Sequence, residues 1–111
     1  MPQIELCAFN ELDEPSSRGF YITELTPPRN IFIVRNRDKV VGYENSCPHT
    51  MGPLDWSPDE FLNYDKEYIQ CANHGALFKI EDGRCIYGPC AGQSLRPIEL
   101  KVENNTIFAV L

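Results

Sequence analysis

Short alternating or apolar segments, separated by turn residues, run along almost the whole chain. Residues 3–9 alternate around Ile4, Leu6 and Ala8, as a half-buried strand does. Residues 19–25 are rich in β-branched and aromatic side chains, which also favours a strand. No stretch of about ten residues has the apolar periodicity of an amphipathic helix. The pattern therefore predicts a protein built mainly of β-strands.

Three pairs of apolar runs flank polar turns and predict β-hairpins, and a fourth apolar segment predicts a lone short strand at residues 68–70. Asp-Gly and Asn-Asn pairs suit such turns, because Gly and Asn tolerate the positive φ that tight hairpin turns require. The predicted hairpins are residues 30–43 with a turn at 36–38, residues 76–87 with a turn at Asp82-Gly83, and residues 98–111 with a turn at Asn104-Asn105.

One short helix is predicted among the strands, over residues 58–63. Ser57 is a candidate N-cap, Pro58 suits the first helical position, and Glu60 completes a capping box. Closely spaced short strands, with prolines in the connecting loops, predict an all-β sandwich or barrel of small antiparallel sheets. The length of 111 residues predicts one domain spanning residues 1–111.

Charge and hydropathy narrow the function classes. The chain carries 10 basic and 16 acidic residues, a net charge of −6, which argues against binding to nucleic acid or an anionic membrane. The apolar run at residues 31–34 is far shorter than the ~20 residues of a membrane span. The N-terminus lacks the basic and apolar regions of a signal peptide, so we expect a cytoplasmic protein. The 5 cysteines then favour metal chemistry over disulfides.

Two segments bring cysteine and histidine together. Cys47 and His49 are separated by one residue, and Cys71 and His74 by two. The chain has only 2 histidines, and each lies within three residues of a cysteine. Each segment follows a predicted strand, so both pairs are expected in loops. These four residues are the candidate metal ligands.

The spacing of the pairs differs from that of common zinc sites, in which cysteines pair with cysteines and histidines with histidines. A Cys-x-His pair is a tight fit to adjacent corners of one tetrahedral ion. A two-iron cluster relieves the constraint, because the thiolate and the imidazole bind different irons. Two such loops then supply two cysteines to one iron and two histidines to the other, the donor set of a Rieske [2Fe–2S] centre. A structural zinc site remains the alternative.

The order Cys-x-His, Cys-x-x-His-Gly, hairpin and Gly-Pro resembles the Rieske iron–sulfur family, and most of all its small soluble ferredoxins. The resemblance covers residues 45–54, 70–78 and 82–89. It implies one [2Fe–2S] cluster, a stack of three small antiparallel sheets, and a proline loop at Gly88-Pro89 that closes over the cluster. It also implies the ligands, with Cys47 and Cys71 on one iron and His49 and His74 on the other.

The segment between the two ligand loops, residues 50–70, is longer than is usual in that family. The excess falls at residues 55–67, which hold five acidic side chains and one lysine. Two interpretations stay open for this insertion: a solvated loop, or a docking patch for a basic redox partner.

The resemblance also predicts the redox potential. High-potential members carry a disulfide cysteine in each ligand loop and hydroxyl donors near the second histidine. The matching positions here are Gly52 and Asn73 for the cysteines, and Ala76 and Phe78 for the hydroxyl residues. All four devices are missing, so we expect a low-potential centre.

The sequence therefore predicts a monomeric one-electron carrier that links a reductase to an oxygenase or another terminal oxidoreductase. Both histidines are used by the cluster, so no mononuclear iron site of an oxygenase is expected. The alternatives are a small accessory subunit of a nitrite-reductase-type or other reductase complex, and a structural-zinc module.

The remaining cysteines receive separate interpretations. We expect Cys7 to pack in the core. For Cys85 and Cys90 three possibilities stay open, namely a local disulfide, thiols that line the cluster pocket, and buried packing.

Overall fold

The computed structural model describes residues 3–13, 15–23, 27–46, 61–63, 65–71, 75–88 and 91–111. No helix in these ranges is long and apolar enough to cross a membrane. A short 3₁₀ helix covers Phe9–Glu11. The strands are β1 (Gln3–Ala8), β2 (Ser16–Ile22), β3 (Arg29–Asn36), β4 (Lys39–Glu44), β5 (Tyr68–Gln70), β6 (Leu77–Lys79), β7 (Cys85–Tyr87), β8 (Pro97–Glu103) and β9 (Thr106–Val110).

The strands form two antiparallel sheets, which confirms the predicted fold class. A six-stranded sheet has the order β1-β9-β8-β4-β3-β2, and a three-stranded sheet has the order β5-β6-β7. Within the larger sheet, β4 and β8 are joined by only two residue pairs, Gly42 with Ile98 and Tyr43 with Pro97. These two pairs join strands β2, β3 and β4 to strands β1, β8 and β9. Two of the three small sheets expected from the family resemblance therefore form one larger sheet.

The predicted hairpin turns lie where the turn residues placed them. Asn104 and Asn105 adopt φ values of 49° and 64° and connect β8 to β9. Gly83 adopts a φ of 72° between β6 and β7, and Arg37 adopts 63° between β3 and β4. Asn and Gly take this left-handed conformation at little cost, so the turns help to set the register of the strands on either side.

Strand β3 separates the apolar clusters on the two faces of the large sheet. Its residues Ile31, Phe32, Ile33 and Val34 are all fully buried. Phe32 and Val34 belong to an apolar cluster shared with the three-stranded sheet, whereas Ile31 and Ile33 pack into two clusters with β1, β2, β8 and β9. Because alternate side chains of a strand point to opposite faces, β3 is covered on both sides.

The helix predicted at residues 58–63 is wrong for residues 61–63, and residues 58–60 lie outside the described residues. Leu62 forms a β-bridge with Ile69, and the N–H of Gln70 donates to the carbonyl of Phe61 at 2.8 Å. The Phe61 ring is fully buried and stacks on Phe32, with centroids 4.3 Å apart. Burial of this ring outweighs the local capping signal, since tertiary packing routinely overrides helix propensity.

Candidate metal centre

Of the four predicted ligands, the structure describes Cys71. It follows β5 directly and is fully buried. Its neighbours in the apolar cluster include Phe78 of β6 and Cys85 of β7. A buried thiol at the end of a strand suits a soft metal ligand, because apolar surroundings exclude water from the metal–sulfur bond.

The loop that begins at Cys71 is closed by paired backbone hydrogen bonds. The N–H of Cys71 donates to the carbonyl of Ala76 at 2.9 Å, and the N–H of Gly75 donates to the carbonyl of Cys71 at 2.8 Å. Gly75 has a φ of 67°, which brings the chain back toward β6. His74 lies outside the described residues, but both residues that enclose its segment are held by these bonds.

Backbone hydrogen bonds fix the start of the first ligand loop, directly after β4. The N–H of Asn45 donates to the carbonyl of Asn30, and the N–H of Ser46 donates to that of Glu44, each at 2.9 Å. Asn45 is buried. Cys47 and His49 lie outside the described residues, as do the rest of the loop and the acidic insertion up to residue 60, so their role as ligands stays a prediction.

Charged side chains interact at the same end of β4. The Glu44 carboxylate pairs with Arg29 at the start of β3, and its second oxygen lies 3.8 Å from Nε of Arg96. The N–H of Glu44 also donates to the carbonyl of Arg96 at 2.9 Å. Glu44 and Arg29 are partly buried and Arg96 is exposed, and together they link three segments directly before the first ligand loop. No short sequence pattern indicates this group, because its members come from distant parts of the chain.

The proline loop approaches the second ligand loop closely. Gly88 has a φ of 105°, and a Cβ at this position would lie 2.8 Å from Cα of Ala76. Pro89 and Cys90 lie outside the described residues. The base of the loop is closed by the N–H of Cys85, which donates to the carbonyl of Gln93 at 2.8 Å. A side chain at position 88 would clash with Ala76, so only glycine lets the two backbone segments approach this closely.

The cysteines outside the ligand set are buried where they are described. Cys7 packs beside Ile33 and Ile107, which confirms the expected core position. Burial raises its pKa. Cys85 is buried, and its thiol donates to the carbonyl of Tyr87 at 3.3 Å, which fits the packing interpretation. The disulfide alternative involves Cys90 and stays a prediction.

These features fit an iron–sulfur cluster. Cys71 offers a buried thiolate in a loop closed by backbone hydrogen bonds, and Gly88 brings a second backbone segment against that loop. Burial and hydrogen bonds to sulfur tune the potential of an iron–sulfur cluster, and an enclosed loop of this kind can provide both. Ala76 and Phe78 stand where high-potential members have hydroxyl donors, and both are fully buried in the same apolar cluster as Cys71.

Comparison with known proteins identifies the class. The sequence matches the family model of the Rieske [2Fe-2S] domain over residues 3–105. The chain therefore belongs to the Rieske [2Fe-2S] domain family, and a [2Fe–2S] cluster is the cofactor that this membership implies. No curated protein matches the sequence.

Solved structures show the same fold. The ferredoxin of carbazole 1,9a-dioxygenase from Nocardioides aromaticivorans IC177 is 19% identical, with a TM-score of 0.77 and coverage of 99% of this chain and 98% of that chain. A complex of reduced oxygenase and oxidized ferredoxin in carbazole 1,9a-dioxygenase contains a chain that is 18% identical, with a TM-score of 0.77 and coverages of 97% and 92%.

An oxygenase structure carries the fold as well. The terminal oxygenase of carbazole 1,9a-dioxygenase from the same organism is 17% identical, with a TM-score of 0.77. The match covers 98% of this chain but only 30% of that one. The fold thus occurs both in ferredoxins and as one part of larger oxygenases.

Proposed function

We propose that this chain is a one-electron carrier that holds a low-potential Rieske [2Fe–2S] cluster and passes electrons from a reductase to an oxygenase or another terminal oxidoreductase. In this proposal Cys47 and Cys71 bind one iron, and His49 and His74 bind the other. The observation that carries it is the family match, together with a fully buried Cys71 in a closed loop. When bound, such a cluster supplies a reversible one-electron site.

The residues around Cys71 support a low potential. Hydrogen bonds to cluster sulfur stabilise the more negative, reduced state and so raise the potential. The two positions where a high-potential centre would have hydroxyl donors hold Ala76 and Phe78, which are fully buried and carry no donor in their side chains. We therefore expect a midpoint in the lower part of the Rieske range of about −150 to +300 mV.

The surface next to the proline loop suits a transient redox partner. Ile86 and Tyr87 of β7 are 42% and 66% exposed, and they directly precede Gly88. Electron-transfer encounters bury little area, so a small apolar patch is sufficient for contact. The complex between ferredoxin and oxygenase among the similar structures supports an acceptor of the oxygenase type.

We further propose a cytoplasmic, monomeric carrier that does not bind membranes. The net charge of −6 supports the last point, because anionic lipid surfaces repel such a chain. A carrier that must leave one partner and reach the next is most simply a single copy. Size-exclusion chromatography with light scattering tests the oligomeric state directly.

The test of the cofactor is iron and acid-labile sulfide analysis, followed by electron paramagnetic resonance (EPR) after dithionite reduction and by potentiometric titration. We expect two irons and two sulfides per chain, a low average g-value and a low midpoint. A midpoint above about +100 mV, well up the Rieske range, contradicts the low-potential part alone. Zinc in place of iron, or a colourless protein that anaerobic reconstitution does not restore, overturns the electron carrier.

A further inference from the structure

Tyr43 occupies a junction between the two parts of the molecule. It lies on β4, four residues before Cys47, and its side chain is only 2% exposed. Its hydroxyl crosses to the turn between β6 and β7 and donates to the carbonyl of Ile80 at 2.6 Å. A short buried hydrogen bond therefore links the strand before the first ligand loop to the hairpin after the second.

The ring of Tyr43 is fixed on several sides. A Cβ at Gly83 would lie 2.7 Å from its Cε1 atom, so the ring packs directly on the backbone of that turn. The Phe32 ring lies 5.9 Å away on the side of β3. The N–H of Leu95 donates to the carbonyl of Gly83 at 2.9 Å, so the turn that contacts the ring is itself bonded to a later segment of the chain. The ring is therefore packed against both the turn and β3, and the hydroxyl has one acceptor among the described residues.

The contact bears on the ligand loops because of where the chain leads on each side. Towards its C-terminus, β4 enters the segment with Cys47 and His49. Ile80 follows β6, which begins directly after the loop with Cys71 and His74. Tyr43 and Cys71 belong to the same apolar cluster. A shift of the β6–β7 hairpin relative to β4 would therefore change the distance between the two ligand pairs.

We propose that Tyr43 is a positioning residue that holds the two ligand loops in the mutual geometry that the cluster requires. The inference rests on the ligand set proposed above. The hydroxyl acts at the carbonyl of Ile80, which is not a predicted cluster ligand. Its loss should let the hairpin move, so that the cluster is held in a wider range of geometries.

The decisive variant is Tyr43→Phe, which removes one oxygen atom and keeps the ring. In the holoprotein we expect broadened and shifted EPR g-values, a displaced midpoint potential, and about tenfold faster release of iron to a chelator, the size expected for one lost hydrogen bond. Tyr21→Phe is the matched control, because Tyr21 is 66% exposed and undergoes the same chemical change.

A second control separates positioning from stability. Ile107→Val removes one methyl group from a buried cluster that does not contain Cys71, and so lowers the melting temperature without touching the junction. It should leave the EPR spectrum and the midpoint unchanged. Gly83→Ala disturbs the same junction from the other side, because it keeps the hydroxyl but places a Cβ 2.7 Å from Cε1 of Tyr43 and adds the backbone strain of a φ of 72°. It should also shift the EPR g-values and the midpoint, and unchanged values in a loaded Gly83→Ala protein would contradict the inference.

Several outcomes overturn the inference. A loaded Tyr43→Phe protein with wild-type g-values, midpoint and iron release refutes it while leaving the proposed carrier intact. So does an equal spectral change in Ile107→Val at the same loss of stability. A wild-type protein without a Rieske spectrum overturns the proposed function and this inference together.

Discussion

The six-stranded and three-stranded sheets are held together in different ways. In the larger sheet, β2 and β3 pair continuously from Ser16 with Arg35 to Ile22 with Arg29. In the smaller sheet, β5 and β6 pair over three residues, and β6 and β7 pair over two with a register shift. Three-residue strands without a packed face are not stable alone. The smaller sheet therefore depends on the larger one.

The candidate metal centre lies on the smaller sheet, which is the region that is not stable without the larger sheet. Cys71 and Gly88 belong to the three-stranded sheet and its loops, whereas Phe32, Val34 and Tyr43 come from the larger sheet and supply much of their core. Sites that bind cofactors are often built on segments of low local stability, and the bound group then stabilises them. Loading of the cluster and packing between the two sheets should therefore be coupled.

The largest expected effect separates two buried cysteines of the smaller sheet. Cys71→Ala should abolish incorporation of the cluster, because the thiolate is a predicted ligand. Cys85→Ala is the matched control, since Cys85 is equally buried in the same apolar cluster and is not a predicted ligand. Iron and sulfide analysis after anaerobic reconstitution distinguishes them. Full iron content in Cys71→Ala would remove this residue from the ligand set.

The next effect tests which face of β3 supports the metal centre. Phe32→Ala should cost about 3–5 kcal/mol of unfolding free energy and should also accelerate iron release, because Phe32 stacks on Phe61 and packs with the smaller sheet. Urea unfolding and native-state hydrogen exchange at β5 and β6 measure the two consequences.

Ile33→Ala is the control for that experiment. Ile33 is the next residue of β3 and faces the opposite cluster, with Cys7 and Ile107. It should also lose about 2–5 kcal/mol, but without early opening of the smaller sheet. Equal local opening in both variants would contradict the division into a supporting and a dependent region.

A smaller effect concerns alkaline pH. Burial, with the carboxylates of Asp82 and Glu81, raises the pKa of Tyr43 to about 12. An unfolded tyrosine ionises near pH 10, so between about pH 10 and 12 the unfolded state loses a proton that the native state keeps. The stabilising contribution is complete below about pH 10 and is lost as the pH rises to about 12, by up to about 2–3 kcal/mol.

Urea unfolding of wild type and Tyr43→Phe at about pH 9, 10 and 11 measures this contribution. The phenylalanine variant should lack the decline that Tyr43 causes. Burial also raises the pKa of Cys7, but this thiol is present in both proteins and cancels in the difference. Parallel pH profiles of the two proteins would show that Tyr43 is not coupled to folding.

The smallest effect isolates one close backbone contact. Gly88 and Gly92 both have positive φ, at 105° and 94°. A Cβ at Gly88 would meet Cα of Ala76 at 2.8 Å, whereas nothing lies within 4 Å of a Cβ at Gly92. Both alanine variants bear the backbone strain, so Gly88→Ala should be less stable by about a further 1 kcal/mol and should release iron faster. Identical melting temperatures and iron release would refute the close contact.

Much of the fold could be predicted, because its signals are local. The Asn104-Asn105 turn, the Gly83 turn and the short strand at Tyr68–Gln70 were each recognisable from a few neighbouring residues. The predicted helix shows the limit of such signals. Its capping pattern spans only four residues. Phe61, in contrast, packs in the core against Phe32, which lies far away in the sequence.

The candidate site divides in the same way. The identities and spacing of Cys47, His49, Cys71 and His74 predicted an iron–sulfur centre, because ligand chemistry is a property of residue types in short loops. The supports of that site could not be predicted in the same way. The pairing of Glu44 with Arg29, the approach of Gly88 to Ala76 and the bond from Tyr43 to Ile80 each join separate segments.

Residues close together in the chain were sufficient to predict most of the strands, the turns, the family and the candidate ligands, although the strand expected at residues 19–25 forms at Ser16–Ile22. The burial of β3 on both faces and the packing of the small sheet on the large one became visible only in the folded structure. The same is true of the hydrogen bond by which Tyr43 links the two sheets. The physical reason is that packing depends on side chains brought together from distant positions, and no short pattern encodes which of two apolar faces meets which partner.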